Sequence, residues 1–78
     1  MKRQKVESSN LAEVGYDPDI MTMEIKFKNG KIYQYWPITV SGIEAFMKAK
    51  SKGEFFCKNI RDNKTINYKQ VDEMQGSK

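Results

Sequence analysis

Asn29-Gly30 stands between two strand-like runs, Met21 to Lys28 and Lys31 to Trp36, and restricts the fold of this chain more than any other feature. Asparagine followed by glycine is the pair best able to take the positive φ angles of a two-residue type I′ turn. A two-residue loop sets Lys28 opposite Lys31, Phe27 opposite Ile32, Lys26 opposite Tyr33 and Ile25 opposite Gln34. Glu24 then meets Tyr35, and Met23 meets Trp36. Side chains alternate between the faces of a strand. One face of the hairpin is therefore expected to carry Met23, Ile25, Phe27, Ile32, Gln34 and Trp36 toward a core. The other carries Glu24, Lys26, Lys28, Lys31, Tyr33 and Tyr35, a basic surface with two rings. A longer turn at the same place would keep the hairpin and scramble these pairs.

The flanking segments complete a small α+β domain. Residues 1–5 read as a flexible basic arm and 6–71 as a single domain, with 72–78 as a flexible tail. Val6 to Tyr16 has the pattern of an irregular edge strand, and Asp17-Pro18-Asp19 is a turn, since proline arrives with φ already set. Pro37 ends the second hairpin strand. Ser41-Gly42-Ile43-Glu44 has capping-box form, with Thr39 as a competing cap, and Ile43, Phe46 and Met47 recur at helical spacing. That helix should stop near Ser51-Lys52-Gly53, with the glycine as a left-handed cap. Phe55, Phe56 and Ile60 return the chain to the core through a turn or short strand, while Ile66, Tyr68 and Val71 are anchors in a polar tail. Val71 to Met74 fits a last helical turn. The expected architecture is a small antiparallel sheet with a central hairpin, one principal helix packed on its apolar face.

Seventy-eight residues support one core with little internal space for a cofactor. Histidine is absent and Cys57 is alone, which excludes an internal disulfide and a cysteine-built metal site. The polar start of the chain does not resemble a signal peptide, and a reducing cytoplasmic setting fits these features. Ser8 and Ser9 have no histidine to activate them, Asp17 and Asp19 lack the oxygen-ligand pattern of a calcium loop, and the glycines form no phosphate-cradling repeat. Catalysis is not expected, and neither a cofactor nor a metal is required. The formal charge is +4, and Lys48, Lys50, Lys52, Lys58 and Arg61 face only Glu54 within their stretch. Such an excess favours a polyanionic partner.

Three blocks together resemble the KTSC domain. They are Ser8-Ser9-Asn10-Leu11 with Val14-Gly15-Tyr16-Asp17; Phe27 to Tyr35, which includes Gly30 and the Tyr33-Gln34-Tyr35 strand; and Ala49 to Phe56 followed by Ile60-Arg61. The resemblance runs from Val6 to Arg61. It carries over Ser8, Ser9, Tyr16, Asp17, Gly30, Tyr33, Tyr35, Ser51, Gly53, Phe56 and Arg61 as family positions. This chain departs from the family at Trp36-Pro37-Ile38 and at Cys57. The family's domain is attached to the carboxyl end of some lysyl-tRNA synthetases and also occurs as short free-standing proteins, bacteriophage ones included. That attachment implies nucleic-acid binding by association.

Two functional expectations follow. One is a binding module for RNA or single-stranded DNA, using Tyr33 and Tyr35 for bases and Lys26, Lys28, Lys31, Lys48, Lys52 and Arg61 for phosphates. The other is a protein-interaction or homodimerisation module built on the same rings. No membrane partner is expected, because the apolar runs are too short to span a bilayer.

Overall fold

The computed structural model describes residues 2–71. Five strands form one antiparallel sheet in the order β1-β2-β3-β4-β5: Arg3–Lys5, Leu11–Asp17, Thr22–Phe27, Ile32–Trp36 and Asn67–Val71. Between β4 and β5 the chain crosses one face of the sheet as α1 (Val40–Lys48), α2 (Lys52–Phe56) and a π-helical turn (Cys57–Arg61). The α+β class and the central hairpin match the sequence expectation.

The hairpin register does not. The Gly30 N–H donates to the Phe27 carbonyl at 2.9 Å, the Phe27 N–H donates to the Lys31 carbonyl at 2.8 Å, and Gly30 sits at φ +93°. This is a three-residue loop closed by a glycine bulge, in place of the two-residue type I′ turn. The Asn29 side chain supports the bulged form by accepting the Lys31 N–H at 2.9 Å. Ile25 now faces Tyr33, Met23 faces Tyr35 and Lys26 faces Ile32. A slip of one residue sends a whole strand's side chains to the opposite face. Tyr33 and Tyr35 thus share the helix-covered face with Met23, Ile25 and Phe27. Lys26 lies on the other face with Glu24, Ile32, Gln34 and Trp36, away from both rings.

The sheet is also wider than expected. Arg3–Lys5, expected as part of a flexible arm, is the edge strand, and β2 lies inside it. Gly15 permits this closeness: a Cβ there would stand 2.5 Å from the Lys2 carbonyl oxygen. Arg3 secures the strand, with Nε donating to Glu13 Oε1 at 2.9 Å and Nη1 to Glu24 Oε2. Gln34 Nε2 donates to the remaining Glu24 oxygen at 2.7 Å. A polar ladder therefore crosses β1 to β4 on the face without helices. At the opposite edge β5 pairs with β4, where a polar tail was expected. The turn at Asp17-Pro18-Asp19 is as expected, with Asp17 Oδ1 accepting the Asp19 N–H at 3.0 Å.

Thr39, the competing cap, starts α1 by accepting the Gly42 N–H at 3.0 Å, and Ser41 lies inside the helix. The helix ends at Lys48, before Gly53. Ser51 accepts the Glu54 N–H at 3.3 Å and starts a second helix, so Gly53 is helical and the Phe55-to-Ile60 segment is not a strand. The spacing Ser51-x-x-Glu54 is itself a helix-start pattern. Ile43 and Phe46 of α1, with Phe56 and Ile60, close over Leu11, Val14, Met23 and Ile25 to make the core. Burying such side chains supplies about 1.5–3 kcal/mol each, which holds helices too short to persist alone. No helix of the described residues is long and apolar enough to cross a membrane. The expected tail at 72–78, and all of the expected last helical turn except Val71, lie outside the described residues.

Candidate functional site

The helical layer does not cover the whole sheet. At the hairpin end, the Ser9-Asn10 loop, the hairpin turn, β4, β5, α2 and the π-helical turn surround a groove of about 580 Å³. One wall is the loop after β1. Ser8 Oγ accepts the N–H groups of Asn10 and Leu11 at 3.2 and 3.3 Å, folding the loop back on itself. The Asn10 carbonyl accepts the Lys28 N–H at 2.9 Å, tying this loop to the hairpin turn. Across from it, α2 approaches at Gly53, where a Cβ would lie 3.3 Å from Ser8 Oγ. Glycine here serves a close approach and not a left-handed cap.

The floor is aromatic. Tyr33 and Tyr35 are two residues apart on β4 and stack with ring centroids 6.3 Å apart. Tyr68, opposite Tyr35 on β5, stacks on it at 6.2 Å and lies 6.2 Å from Tyr33. Phe56 meets Tyr35 edge to face at 5.1 Å, and Phe27 meets Tyr33 likewise at 5.9 Å. The three tyrosines differ in what they offer. Tyr35 is 5% exposed, Tyr33 is half-buried and Tyr68 is 67% exposed. Burial, with Tyr33 and Tyr68 as neighbours, pushes the Tyr35 hydroxyl up to about 12. Tyr35 is therefore a support for the other rings, and Tyr33 and Tyr68 form the accessible surface.

Among the described residues, charge in the groove has one sign: Lys28 lines it from the hairpin turn and Arg61 from the π-helical turn, and none of the lining residues described is a carboxylate. Arg61 Nε also contacts Asp62 at 3.1 Å, an exposed pair worth little in water. Of the other expected phosphate contacts, Lys26 is on the far face, while Lys31 and Lys48 are exposed away from the lining. Lys52 donates from Nζ to the Ala49 carbonyl at 3.3 Å. The expected row of lysines beside both tyrosines is thus reduced to Lys28 and Arg61.

The family positions divide in the same way. Ser9, Tyr33, Tyr35, Gly53, Phe56 and Arg61 line the groove. Ser8 and Ser51 hold backbone turns, Gly30 makes the bulge, and Asp17 makes its own turn. Tyr16 donates its hydroxyl to the Ile38 carbonyl at 2.6 Å, outside the groove. Sequence reasoning missed Asn10, Asn29 and, above all, Tyr68 as part of the surface. The signal for Tyr68 was its two-residue spacing from Ile66 and Gln70, which is strand periodicity.

Chemically, the groove offers ring faces, amide groups and two cations. Cys57 is half-buried in its lining, and among the described residues no imidazole or carboxylate lines the groove beside it. Among the described residues no cluster of acidic or cysteine side chains is arranged for a metal ion.

Comparison with known proteins agrees with this anatomy. The family model described as the KTSC domain matches residues 7–68. The chain is similar to an uncharacterised protein of Stutzerimonas stutzeri, 36% identical over 56 residues, which are 72% of this chain and 79% of that one. It is also similar to a lysine–tRNA ligase of a Nostoc species, 33% identical over 57 residues, covering 73% of this chain and 10% of the ligase. Among solved structures, a KTSC domain protein from Yersinia pestis superposes with a TM-score of 0.80 at 35% identity, covering 91% of this chain and 97% of that one.

Proposed function

The chain belongs to the KTSC domain family, and we propose that its aromatic groove binds single-stranded nucleic acid without catalysing a reaction on it. One observation carries the reading: the accessible rings of Tyr33 and Tyr68 lie in a groove whose lining charges among the described residues, Lys28 and Arg61, are both positive. Bases of any sequence present π-faces to such rings, and the sugar–phosphate chain presents negative charge to such cations. A duplex would hide its base faces, so an unpaired strand fits better. The relatives named lysine–tRNA ligases act on tRNA by that name, which favours RNA over DNA and a cytoplasmic setting.

Fluorescence anisotropy with labelled RNA and DNA octamers, at two salt concentrations, tests the reading. Tyr68→Ala should weaken binding by on the order of 1–3 kcal/mol, and Lys26→Ala should leave it unchanged. Absence of binding to both polymers at low salt would refute it.

A second reading, contact with another protein or a second copy, draws on a different place. Ile20, Met21 and Val40 are 61%, 39% and 51% exposed at the opposite end of β3 from the hairpin turn. The Ile38 N–H donates to the Met21 carbonyl at 2.7 Å, which brings the segments together. Light scattering over a range of concentrations tests the homodimer form; a strict monomer throughout counts against it.

A further inference from the structure

The two cations of the groove come from segments that join the sheet at opposite ends of its ring row. Lys28 belongs to the hairpin turn, directly after Phe27, and its N–H is held by the Asn10 carbonyl at 2.9 Å. Arg61 closes the π-helical turn, from which the chain runs on to Asn67, paired with Trp36 at the end of β4 away from the hairpin turn. Along β3 and β4 the order of side-chain rows is Phe27, then Ile25 with Tyr33, then Met23 with Tyr35. Strand rise places the Phe27 and Tyr35 rows roughly 13 Å apart. Tyr33 lies between them, stacked on Tyr35 and tilted against Tyr68. From end to end the sequence of chemistries is therefore cation, rings, cation.

A ligand with a single phosphate satisfies one end of this arrangement and leaves the other open. We propose that the groove is built for an internal nucleotide of a single strand, with one base against Tyr33 and Tyr68 and a phosphate on each side, at Lys28 and at Arg61. This rests on the reading of the groove as a nucleic-acid site and adds the minimal ligand: one nucleoside flanked by two phosphates. It also gives the strand a direction of travel, from the hairpin turn toward the π-helical turn. Ser9, Asn10 and Asn29 form the polar side of the lining, beside the path of the sugar and base edge. The Asn29 oxygen is already used by the Lys31 N–H at 2.9 Å, which leaves its amide hydrogens as the groups available to a ligand.

The test compares adenosine 3′,5′-bisphosphate with adenosine 5′-monophosphate, adenosine 3′-monophosphate and inorganic pyrophosphate, with an RNA tetramer as the positive reference. Titrations followed by amide chemical shifts reach the weak affinities such small ligands have. The bisphosphate is expected to bind at least tenfold more tightly than either monophosphate or pyrophosphate. Lys28→Ala and Arg61→Ala should each bring it down to monophosphate strength. The two monophosphates should respond to opposite variants, which assigns the 5′ end of the strand to one cation. For the tetramer, each variant should lower the salt slope by about 0.7, the share of one phosphate on a single strand. Arg61→Lys, which keeps the charge, should retain most of the bisphosphate preference.

Equal binding of mono- and bisphosphate, with the tetramer still bound, overturns the two-ended site and leaves the nucleic-acid reading standing. Pyrophosphate binding as tightly as the bisphosphate also overturns it, since charge alone would then suffice. No binding of the tetramer or any nucleotide removes the nucleic-acid reading itself. A protein partner or second copy would then account for the rings, and concentration-dependent mass would be its sign.

Discussion

Phe56 and Tyr35 meet edge to face, with centroids 5.1 Å apart, and this contact joins the helical layer to the floor of the groove. Both rings are nearly inaccessible, at 3% and 5% exposure. Tyr35 thus belongs to the core and to the site at once. Replacing it with alanine should destabilise the domain by about 3–5 kcal/mol, the usual cost of emptying a buried aromatic position. Tyr35→Phe keeps the ring contacts and should stay within about 1.5 kcal/mol of the parent. Urea denaturation of both variants checks this, and a mild Y35A effect would contradict the placement of the ring.

The same residue gives the domain a signature at high pH. Its hydroxyl is pushed up to about 12 from the ordinary 10, first by burial and then by Tyr33 and Tyr68. The unfolded chain therefore loses this proton more readily than the folded one. The stabilising share is complete below pH 10 and disappears as pH rises through 12. Denaturation midpoints measured from pH 8 to 12 should fall more steeply for the parent than for Tyr35→Phe. Identical slopes would show that Tyr35 ionises as freely folded as unfolded.

Gly53 and Ser8 form a coupled pair across the groove wall. A methyl group at 53 would lie 3.3 Å from Ser8 Oγ, tighter than an ordinary contact, although alanine is the better helix residue by about 1 kcal/mol. Gly53→Ala should therefore gain little in the parent and more in a Ser8→Ala background, where the oxygen is gone. A double-mutant cycle by urea denaturation should show coupling of at least roughly 0.5 kcal/mol. Strict additivity would mean that the wall yields without strain.

Much of the fold is legible in the residues, and the misses share a physical origin. Alternation and Asn29-Gly30 reveal the hairpin, yet the same dipeptide serves both a two-residue turn and a three-residue bulged one. Only tertiary pairing selects between them, and the choice decides which face receives Tyr33 and Tyr35. The lysine-and-tyrosine surface inferred from the wrong register dissolves for that reason. Arg3–Lys5 has no strand pattern of its own; it is a strand because Gly15 admits it and Glu13 and Glu24 hold Arg3. Asn67–Val71 is nearly all exposed because it covers an edge and not a core. Ser51, Gly53 and Phe56 are visible as family positions, while their roles as cap, close approach and ring partner require the fold.

Arg3 and Glu24 offer a test of the opposite face. Their ion pair is largely enclosed, with side chains 16% and 9% exposed, and Gln34 completes the shell around Glu24. The bond to Glu13, working against burial and joined by that to Glu24, holds the Arg3 guanidinium above its ordinary range. Arg3→Met leaves a nearly buried carboxylate without its cation and should cost roughly 1.5–3 kcal/mol. Adding Glu24→Leu should recover a good part of that loss, because the unpaired charge is then gone. Urea denaturation of the single and double variants reads both effects. A double variant weaker than the sum of the singles would contradict this role for the pair.

Binding in the aromatic groove is tested most directly by mapping amide shifts of the full chain as a short single-stranded RNA is added at low salt. Shifts should concentrate at Asn10, Lys28, Tyr33, Arg61 and Tyr68, around the groove. Lys26 and Trp36, on the face without helices, should hardly move. Shifts gathered on that opposite face, or none anywhere, would contradict a nucleic-acid site in the groove.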